Sequence, residues 1–274
     1  AEGRGGPPEK DRGQGQVSPP NRMGYNGRRS PPFCFPPQPE ALSLFPIRDA
    51  VRSSRFPVVN VALIAANVLS FLFVTSLGPN GYERFLGEFG VVPARLSFEQ
   101  PLTLLTLFTS MFLHGGWFHL LSNMWTLFIF GDNVEDQMGS GRYLGFYLIA
   151  GTVAGLAYAV VSPNSTIPTV GASGAIAGVL GAYFILFPRA RVTTFIPLFF
   201  LPWFVDVPAI VFIGIWFFTQ LSQGLLSLGA IGDFGGIAWW AHVGGFLVGL
   251  LLVRAFVARP KTPQLWVPDD RWSG

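Results

Sequence analysis

A serine between two glycines opens an apolar helical segment in the middle of the chain. Gly171-Ala172-Ser173-Gly174 is followed by apolar and small residues as far as Tyr183. Glycine lowers helix stability and a hydroxyl in hydrocarbon needs a partner, so this is an unusual way to build a membrane span. Unpaired N–H groups at a helix N-terminus would stabilise an oxyanion formed when Ser173 attacks a carbonyl carbon. The alternative is a packing seam of small residues with an incidental serine.

All three histidines of the chain, His114, His119 and His242, lie in or beside apolar segments. Ionisable groups inside a membrane are expensive and usually functional. His119 and Asn123 are four residues apart, which places both side chains on one face of a helix. By itself, such a pair could also form a structural hydrogen bond between helices.

Small residues connect the serine to the third histidine. His242 shares a helical face with Gly245 and Gly249, and small residues let two helices approach closely. We expect this face to pack against the segment that begins at Ser173, bringing the imidazole to the hydroxyl for its deprotonation. The matching stripe on that segment consists of Gly174, Ala177, Gly178 and Gly181.

The composition indicates a polytopic helical membrane protein. Of 274 residues, 50% are hydrophobic and 12% are charged, and the mean hydropathy is +0.44, which is too apolar for an ordinary soluble domain. No basic stripe with interleaved aromatic residues occurs, so we expect no nucleic-acid partner. The single cysteine, Cys34, excludes an intramolecular disulfide and a cysteine-based metal site, and we expect neither a metal nor a cofactor.

Six apolar segments are each close to the ~20 residues that cross a bilayer. The segment Leu102–Leu113 is too short and too near the next span to cross separately, so we interpret it as partly embedded. Thr193–Val205 is apolar but short and broken by prolines, which indicates an interfacial linker, with a seventh span as the alternative. The sequence therefore predicts an all-α fold, a bundle of six transmembrane helices at 57–77, 116–136, 143–162, 171–187, 208–228 and 237–257.

The flanking segments differ from the spans in composition. Residues 1–40 are polar and rich in Gly, Pro and Arg, so we expect a disordered tail without a cleavable signal peptide. Residues 41–56 carry three arginines and are predicted to be a juxtamembrane segment that touches lipid headgroups. The membrane domain follows at 57–257, and a second tail at 258–274. The excess of Arg and Lys on one side of this topology places both termini in the cytoplasm.

Three motifs of the chain resemble those of the rhomboid family of intramembrane serine proteases. Gly171–Gly174 matches the family's Gly-x-Ser-Gly, His119–Asn123 its His-x-x-x-Asn, and Ala241–Gly249 its Ala-His-x-x-Gly-x-x-x-Gly. Their order and their placement in three separate spans also agree, over about residues 57–257. The resemblance implies a bacterial-type six-span serine endopeptidase.

The resemblance also implies roles for individual residues. Ser173 would be the nucleophile and His242 the base, while His119 and Asn123 would form the oxyanion hole with the backbone N–H of Ser173. No acid residue is evident as a third member, so we expect a Ser-His dyad. The apolar surroundings should keep the imidazole of His242 neutral and ready to accept a proton.

Further residues match positions that are structural in relatives. His114 matches a structural histidine, and Glu135 matches a carboxylate that anchors a helix end. The chain departs from some relatives in two ways: it lacks a Trp-Arg pair in the first external loop, and Ala177 replaces an aromatic residue that stacks on the histidine. The glycines expected to be structural near the site are Gly171, Gly174, Gly245 and Gly249.

The resemblance implies single-span transmembrane proteins as substrates and membrane lipids as the surroundings, in a bacterial inner (plasma) membrane. Substrates would enter between the second and fifth spans, where Trp216, Phe217 and Phe218 could form a gate or simply face lipid. The polar loop 163–169 would admit water, and the glycine-rich link 229–236 could act as a lid. The sequence indicates no oligomeric state.

Two other functions remain alternatives. A catalytically silent rhomboid-like protein would bind membrane clients, although such members usually lack the serine or the histidine. A transporter or channel would bind an ion at a broken helix, but we see no internal repeat. A Ser-Lys dyad is excluded because Lys10 and Lys261, the two lysines, both lie in the tails.

Overall fold

The structure, a computed structural model, describes residues 45–198, 201–228, 238–258 and 264–265, together with Gly3. The remainder of the predicted tail at 1–40, the suggested lid at 229–236 and most of the C-terminal tail lie outside the described residues. The helices and strands given below belong to one compact unit of the chain, Gln38–Gly274.

Most of the described residues are helical, and the helices follow the predicted spans. The helices are α1 (Val58–Ser76), α2 (Gly78–Phe89), α3 (Thr106–Thr109), α4 (Trp117–Met138), α5 (Ser140–Val161), α6 (Ser173–Leu186), α7 (Ala209–Leu228) and α8 (Trp239–Phe256). Six of them, α1 and α4 to α8, begin and end within three residues of the predicted spans. The predicted all-α membrane bundle is therefore confirmed.

The helices differ in length, and therefore in whether each can cross a membrane. Within the described ranges, α1, α5, α7 and α8 are each long and apolar enough to cross a membrane. Helix α4 and the helical segment Pro101–Phe112 before it qualify together as one span bent by 79°, and this segment contains most of the stretch expected to be partly embedded. Helix α6 has only 14 residues, so it rises about 21 Å, less than the ~30 Å hydrocarbon core. At least one end of α6 must therefore lie within the thickness of the membrane.

The short helix α6 lies among α4, α5, α7 and α8, and its residues from 174 to 183 are all buried. It meets α8 at backbone distance. A methyl group added at Gly245 would lie 2.0 Å from the carbonyl oxygen of Gly174, and one added at Gly249 would lie 2.1 Å from that of Gly178. Because no side chain fits at these two positions, the glycines allow the close approach of the two helices that the stripes predicted.

A small β-sheet accompanies the helices and was not predicted. Strand β1 (Phe45–Asp49) pairs with β3 (Arg191–Leu198), which pairs with β4 (Leu201–Pro208), both antiparallel. Strands β2 (Val51–Arg52) and β5 (Gln264–Leu265) form a second, two-stranded pairing. The described residues of the stretch 193–205, which was predicted as a linker or a seventh span, thus belong to the antiparallel strands β3 and β4. Its β-branched and aromatic residues favour strands, but its partner β1 lies far earlier in the chain, where local patterns cannot reveal the pairing.

The long connection between α1 and α4 is anchored without the Trp-Arg pair that some relatives carry. The hydroxyl of Tyr82 on α2 donates to the carbonyl of His114 at 2.7 Å. Two backbone hydrogen bonds join Val91 to Thr169, in the loop that leads into α6. The connection is therefore tied both to the start of α4 and to the loop before Ser173.

Candidate active site

The hydroxyl of Ser173 and the imidazole of His242 are in hydrogen-bonding contact. Ser173 is the first residue of α6, and His242 lies near the start of α8. The distance from His242 Nε2 to Ser173 Oγ is 2.8 Å, within the range expected for a nucleophile and its base. Both residues are half-buried, so each keeps some accessible surface inside the apolar bundle.

Gly171 shapes the backbone that leads into α6. Its φ of +129° is one that L side chains rarely adopt, and its N–H donates to the carbonyl of Ser110 at 2.9 Å. A methyl group added at Gly171 would also lie 2.7 Å from His119 Nε2. No side chain caps α6, which begins two residues later. Its first backbone N–H groups, including that of Ser173, are therefore free of intrahelical partners and can meet an oxygen atom.

The imidazole of His119 on α4 also lies close to Gly171. The backbone N–H of Gly115 donates to His119 Nδ1 at 3.4 Å, so the neutral imidazole carries its proton on Nε2. The position that a Cβ atom would occupy on Gly171 is 2.7 Å from this Nε2 and 3.6 Å from Ser173 Oγ. An oxygen atom bound close to that position would lie near both the donor and the nucleophile.

Asn123 lies one turn further along α4. Its side chain is buried, and its amide nitrogen has no hydrogen-bond partner in the part of the chain that the structure describes. A buried donor without a partner is costly and calls for an explanation. The oxyanion role that the resemblance implies for Asn123 stays a prediction.

His114 is buried against the imidazole of His119, with the ring centroids 5.1 Å apart and the rings edge to face. Its backbone carbonyl accepts the hydrogen bond from Tyr82. The residue thus contacts the ring of His119 and, through its backbone carbonyl, the connection between α1 and α4. The structural role implied by the resemblance stays a prediction that this placement favours.

Glu135 lies at the other end of α4, away from Ser173. Its carboxylate accepts hydrogen bonds from the backbone N–H groups of Val59 at 3.1 Å and Asn60 at 2.8 Å, and from the hydroxyl of Ser140 at 2.6 Å. Helix α1 has no capping side chain of its own. Glu135 therefore satisfies the first N–H groups of α1 and complements its dipole, which is a helix-anchoring contact.

The sequence did not reveal the groups that contact the imidazole of His242. The amide oxygen of Gln220, on α7, lies 2.7 Å from His242 Nδ1. The rings of Trp216 and Trp239 have their centroids 6.2 Å from that of the imidazole. These groups contact the imidazole of His242. In some relatives, an aromatic residue at the position of Ala177 stacks on that histidine. A glutamine inside an apolar span was the available signal, since such a residue needs a partner there.

The three aromatic residues suggested as a gate do not share one environment. Trp216 packs on the imidazole, and Phe217 stacks on Phe246 of α8 with a centroid distance of 4.3 Å. Phe218 is 68% exposed. Two of the three side chains thus pack against α8, and Phe218 is the one that faces outward.

Comparison with known proteins bears on the identity of this bundle. The sequence matches the family model of the Rhomboid domain over residues 101–259, more than half of the chain. The chain belongs to the rhomboid family. It is 31% identical over 146 residues to Rhomboid protein 1, mitochondrial, of Saccharomyces cerevisiae, which covers 52% of this chain and 39% of that protein. It is 29% identical over 235 residues to RHOMBOID-like protein 1 of Arabidopsis thaliana, covering 75% and 55%.

Rhomboid protease GluP of Bacillus subtilis is 36% identical over 133 residues, covering 48% of this chain and 25% of that protein. This rhomboid-family chain therefore spans about half, or less, of the length of these curated relatives. The family and the apolar helices identify an integral membrane protein. One relative is mitochondrial by name and another is bacterial, so the comparison does not support the predicted bacterial inner membrane over a mitochondrial one.

Proposed function

We propose that this rhomboid-family protein is an intramembrane serine endopeptidase, which hydrolyses peptide bonds in or near the transmembrane segments of other membrane proteins. The observation that carries the proposal is the 2.8 Å contact between Ser173 Oγ and His242 Nε2 at the start of a short central helix. A nucleophile in contact with a base, with the donor His119 Nε2 close to the nucleophile, is the arrangement that acyl transfer requires.

In the first step, Ser173 Oγ attacks the carbonyl carbon of the substrate peptide while His242 Nε2 takes the hydroxyl proton. The oxyanion forms close to Gly171, where His119 Nε2–H, the amide of Asn123 and the backbone N–H of Ser173 donate to it. His242 then passes the proton to the amine as the C–N bond breaks. Water then attacks the acyl-serine ester while His242 takes its proton, and His242 returns this proton to Ser173 Oγ as the C–O bond breaks and the second product leaves.

The position of α6 supports access of water to this ester. Because α6 is shorter than the hydrocarbon core, its first residue can lie below the membrane surface at the bottom of a polar indentation. The loop that precedes it, residues 162–172, includes the exposed polar residues Asn164 and Thr166. Ser173 and His242 are each only partly buried as residues.

The proposed substrates are single-span membrane proteins that enter between α4 and α7. His119 of α4 lies near Ser173, and Trp216 and Gln220 of α7 lie beside His242. A segment that moves in between these two helices would therefore reach the hydroxyl. Small, helix-destabilising residues in the segment would expose its carbonyls, which an intact helix hides in its own hydrogen bonds.

The test is reconstitution in lipid vesicles with a single-span model substrate. Wild type should cleave it and should react with a fluorophosphonate at Ser173, whereas Ser173→Ala should lose both activities. Ser76→Ala is the matched control, because Ser76 is exposed at the end of α1, and it should retain both. Equal cleavage by Ser173→Ala would refute the nucleophile, and wild type that binds the substrate without cleaving it would establish a silent binding protein.

A further inference from the structure

The second nitrogen of the His242 imidazole contacts a side chain for which the dyad chemistry gives no role. Gln220 is 7% exposed on α7, and its amide oxygen lies 2.7 Å from His242 Nδ1, while Nε2 of the same ring faces Ser173. Taking an amide out of water is costly unless its hydrogen bonds are replaced. The imidazole is therefore held between a hydroxyl on one side and an amide on the other.

The direction of the hydrogen bonds in this group follows from a backbone carbonyl. The hydroxyl of Thr219 donates to the carbonyl of Trp216 at 2.6 Å, since a carbonyl can only accept. The amide nitrogen of Gln220 then donates to the Thr219 oxygen, at 3.2 Å. Its amide oxygen is thereby turned toward His242 Nδ1, where it can only accept.

The tautomer of the imidazole follows from the same chain of bonds. An acceptor at Nδ1 requires the proton to be on Nδ1, so a neutral imidazole has its lone pair on Nε2. That lone pair faces Ser173 Oγ at 2.8 Å and accepts the hydroxyl proton. With the opposite tautomer, Nε2 would carry a proton, and the serine would face a donor instead of a base.

We propose that Gln220, oriented by Thr219, is a positioning residue that fixes the base-competent tautomer and ring orientation of His242. The inference rests on the proposed protease function, to which it adds an uncharged residue that orients the base of the dyad. An amide suits this place because a carboxylate buried among apolar helices would need a compensating charge. Aspartate performs the same orienting task in the serine-protease triad.

The experiment compares Gln220→Met, Gln220→Glu and Thr219→Val with wild type. Gln223→Met is the matched control, because Gln223 lies one turn further on α7 and is exposed. Cleavage of a single-span model substrate in vesicles gives kcat/KM. Imidazole nitrogen chemical shifts of isotope-labelled histidine in detergent micelles report the tautomer. The chain has three histidines, and the signals of His242 are those that disappear in His242→Gln.

Gln220→Met should lower kcat/KM roughly 10- to 100-fold, as expected for one lost hydrogen bond of an orienting group. The fall should be in kcat, and Nε2-protonated imidazole should appear in the spectrum. Thr219→Val should act in the same direction by a smaller factor. Gln220→Glu should keep the Nδ1 proton and most of the activity. Its activity should fall off at higher pH than that of wild type as the medium is acidified, because a carboxylate stabilises the imidazolium.

The proposal is overturned if Gln220→Met matches Gln223→Met in both measurements. It is also overturned if activity falls while His242 keeps its proton on Nδ1, since the effect would then be one of packing alone. The imidazole chemical shifts can be measured whether or not the protein cleaves a substrate. Wild type that shows the Nδ1 proton but cleaves nothing would therefore reject the proposed function and leave the positioning of the imidazole standing.

Discussion

Two buried polar side chains near opposite ends of α4, Asn123 and Glu135, differ in whether their hydrogen bonds are made. Near the start of the helix, the amide nitrogen of Asn123 has no partner among the described residues, and His119 Nε2 points toward Gly171. Near its end, Glu135 accepts three hydrogen bonds from α1 and α5. A polar group whose bonds are all made stabilises the fold, whereas a donor left open beside a nucleophile is available to a substrate atom.

Helix α6 shows the same contrast. It begins with Ser173 in contact with His242, and near its other end Tyr183 donates its hydroxyl to Asp49. Asp49 also accepts a hydrogen bond from Asn133 of α4 at 2.7 Å. The starts of α4 and α6 therefore carry the proposed chemistry, and their ends form hydrogen bonds to strand β1. Changes at the first end should affect activity, and changes at the second should affect stability.

The largest expected effect is that of replacing the base. His242→Gln should lower kcat by about four orders of magnitude or more, because Ser173 then has no group to take its proton. The free energy of unfolding should change little. Substrate cleavage in vesicles and thermal unfolding measure the two quantities. If His242→Gln were inactive because it is unfolded, this end of the helices would also determine stability, contrary to the prediction.

The second-largest effect is expected for the buried amide of Asn123. Asn123→Ala should lower kcat by about 100- to 1,000-fold, the usual result of losing one oxyanion donor. Thermal stability should not fall, because the amide nitrogen makes no hydrogen bond among the described residues. Asn164→Ala, at an exposed loop position, is the matched control. A large loss of stability with unchanged kcat would show that Asn123 stabilises the fold and takes no part in catalysis.

At the opposite end, Glu135→Gln should lower the free energy of unfolding by about 1–3 kcal/mol, because an amide cannot accept all three hydrogen bonds. The kcat of the folded variant should stay within a factor of two or so of wild type, since no reacting group is touched. Denaturation in detergent and cleavage in vesicles check both statements. Glu99→Gln, at an exposed position, should change neither.

The smallest effect is a pH dependence of stability. Burial raises the pKa of Asp49 to about 7 from 3.8, and repulsion by Asp132 adds to the rise despite the hydrogen bond from Tyr183. The folded state thus holds this proton more tightly than the unfolded state. The stabilisation is fully present below pH 3.8 and is lost as the pH rises to about 7.

Melting temperature measured between pH 5 and pH 8, about the window set by this shifted pKa, checks the assignment. Wild type should lose a few degrees relative to Asp49→Asn as the pH rises, because asparagine does not ionise. Parallel curves for the two proteins would show that Asp49 titrates at its ordinary value. Cleavage activity, corrected for the folded fraction, should be the same in both.

Much of this molecule could be predicted from its sequence. Apolar segments of sufficient length mark helices locally, so six helices were found within three residues of their ends. The glycine stripes also predicted the pairing of α6 with α8, because backbone contact excludes side chains at Gly245 and Gly249. The contact between Ser173 and His242 follows from that pairing.

Tertiary structure decided the rest. Strand β1 pairs with β3 although the two lie far apart in sequence, so no local pattern revealed that pairing. Gln220 was missed because the sequence of α7 does not show which of its faces meets α8. The sequence by itself determined the helices, the reacting residue types and the family, because length, hydropathy and spacing are properties of neighbours along the chain. Only the fold decided which groups orient the imidazole, because contacts between distant helices depend on the rotation and crossing of each one.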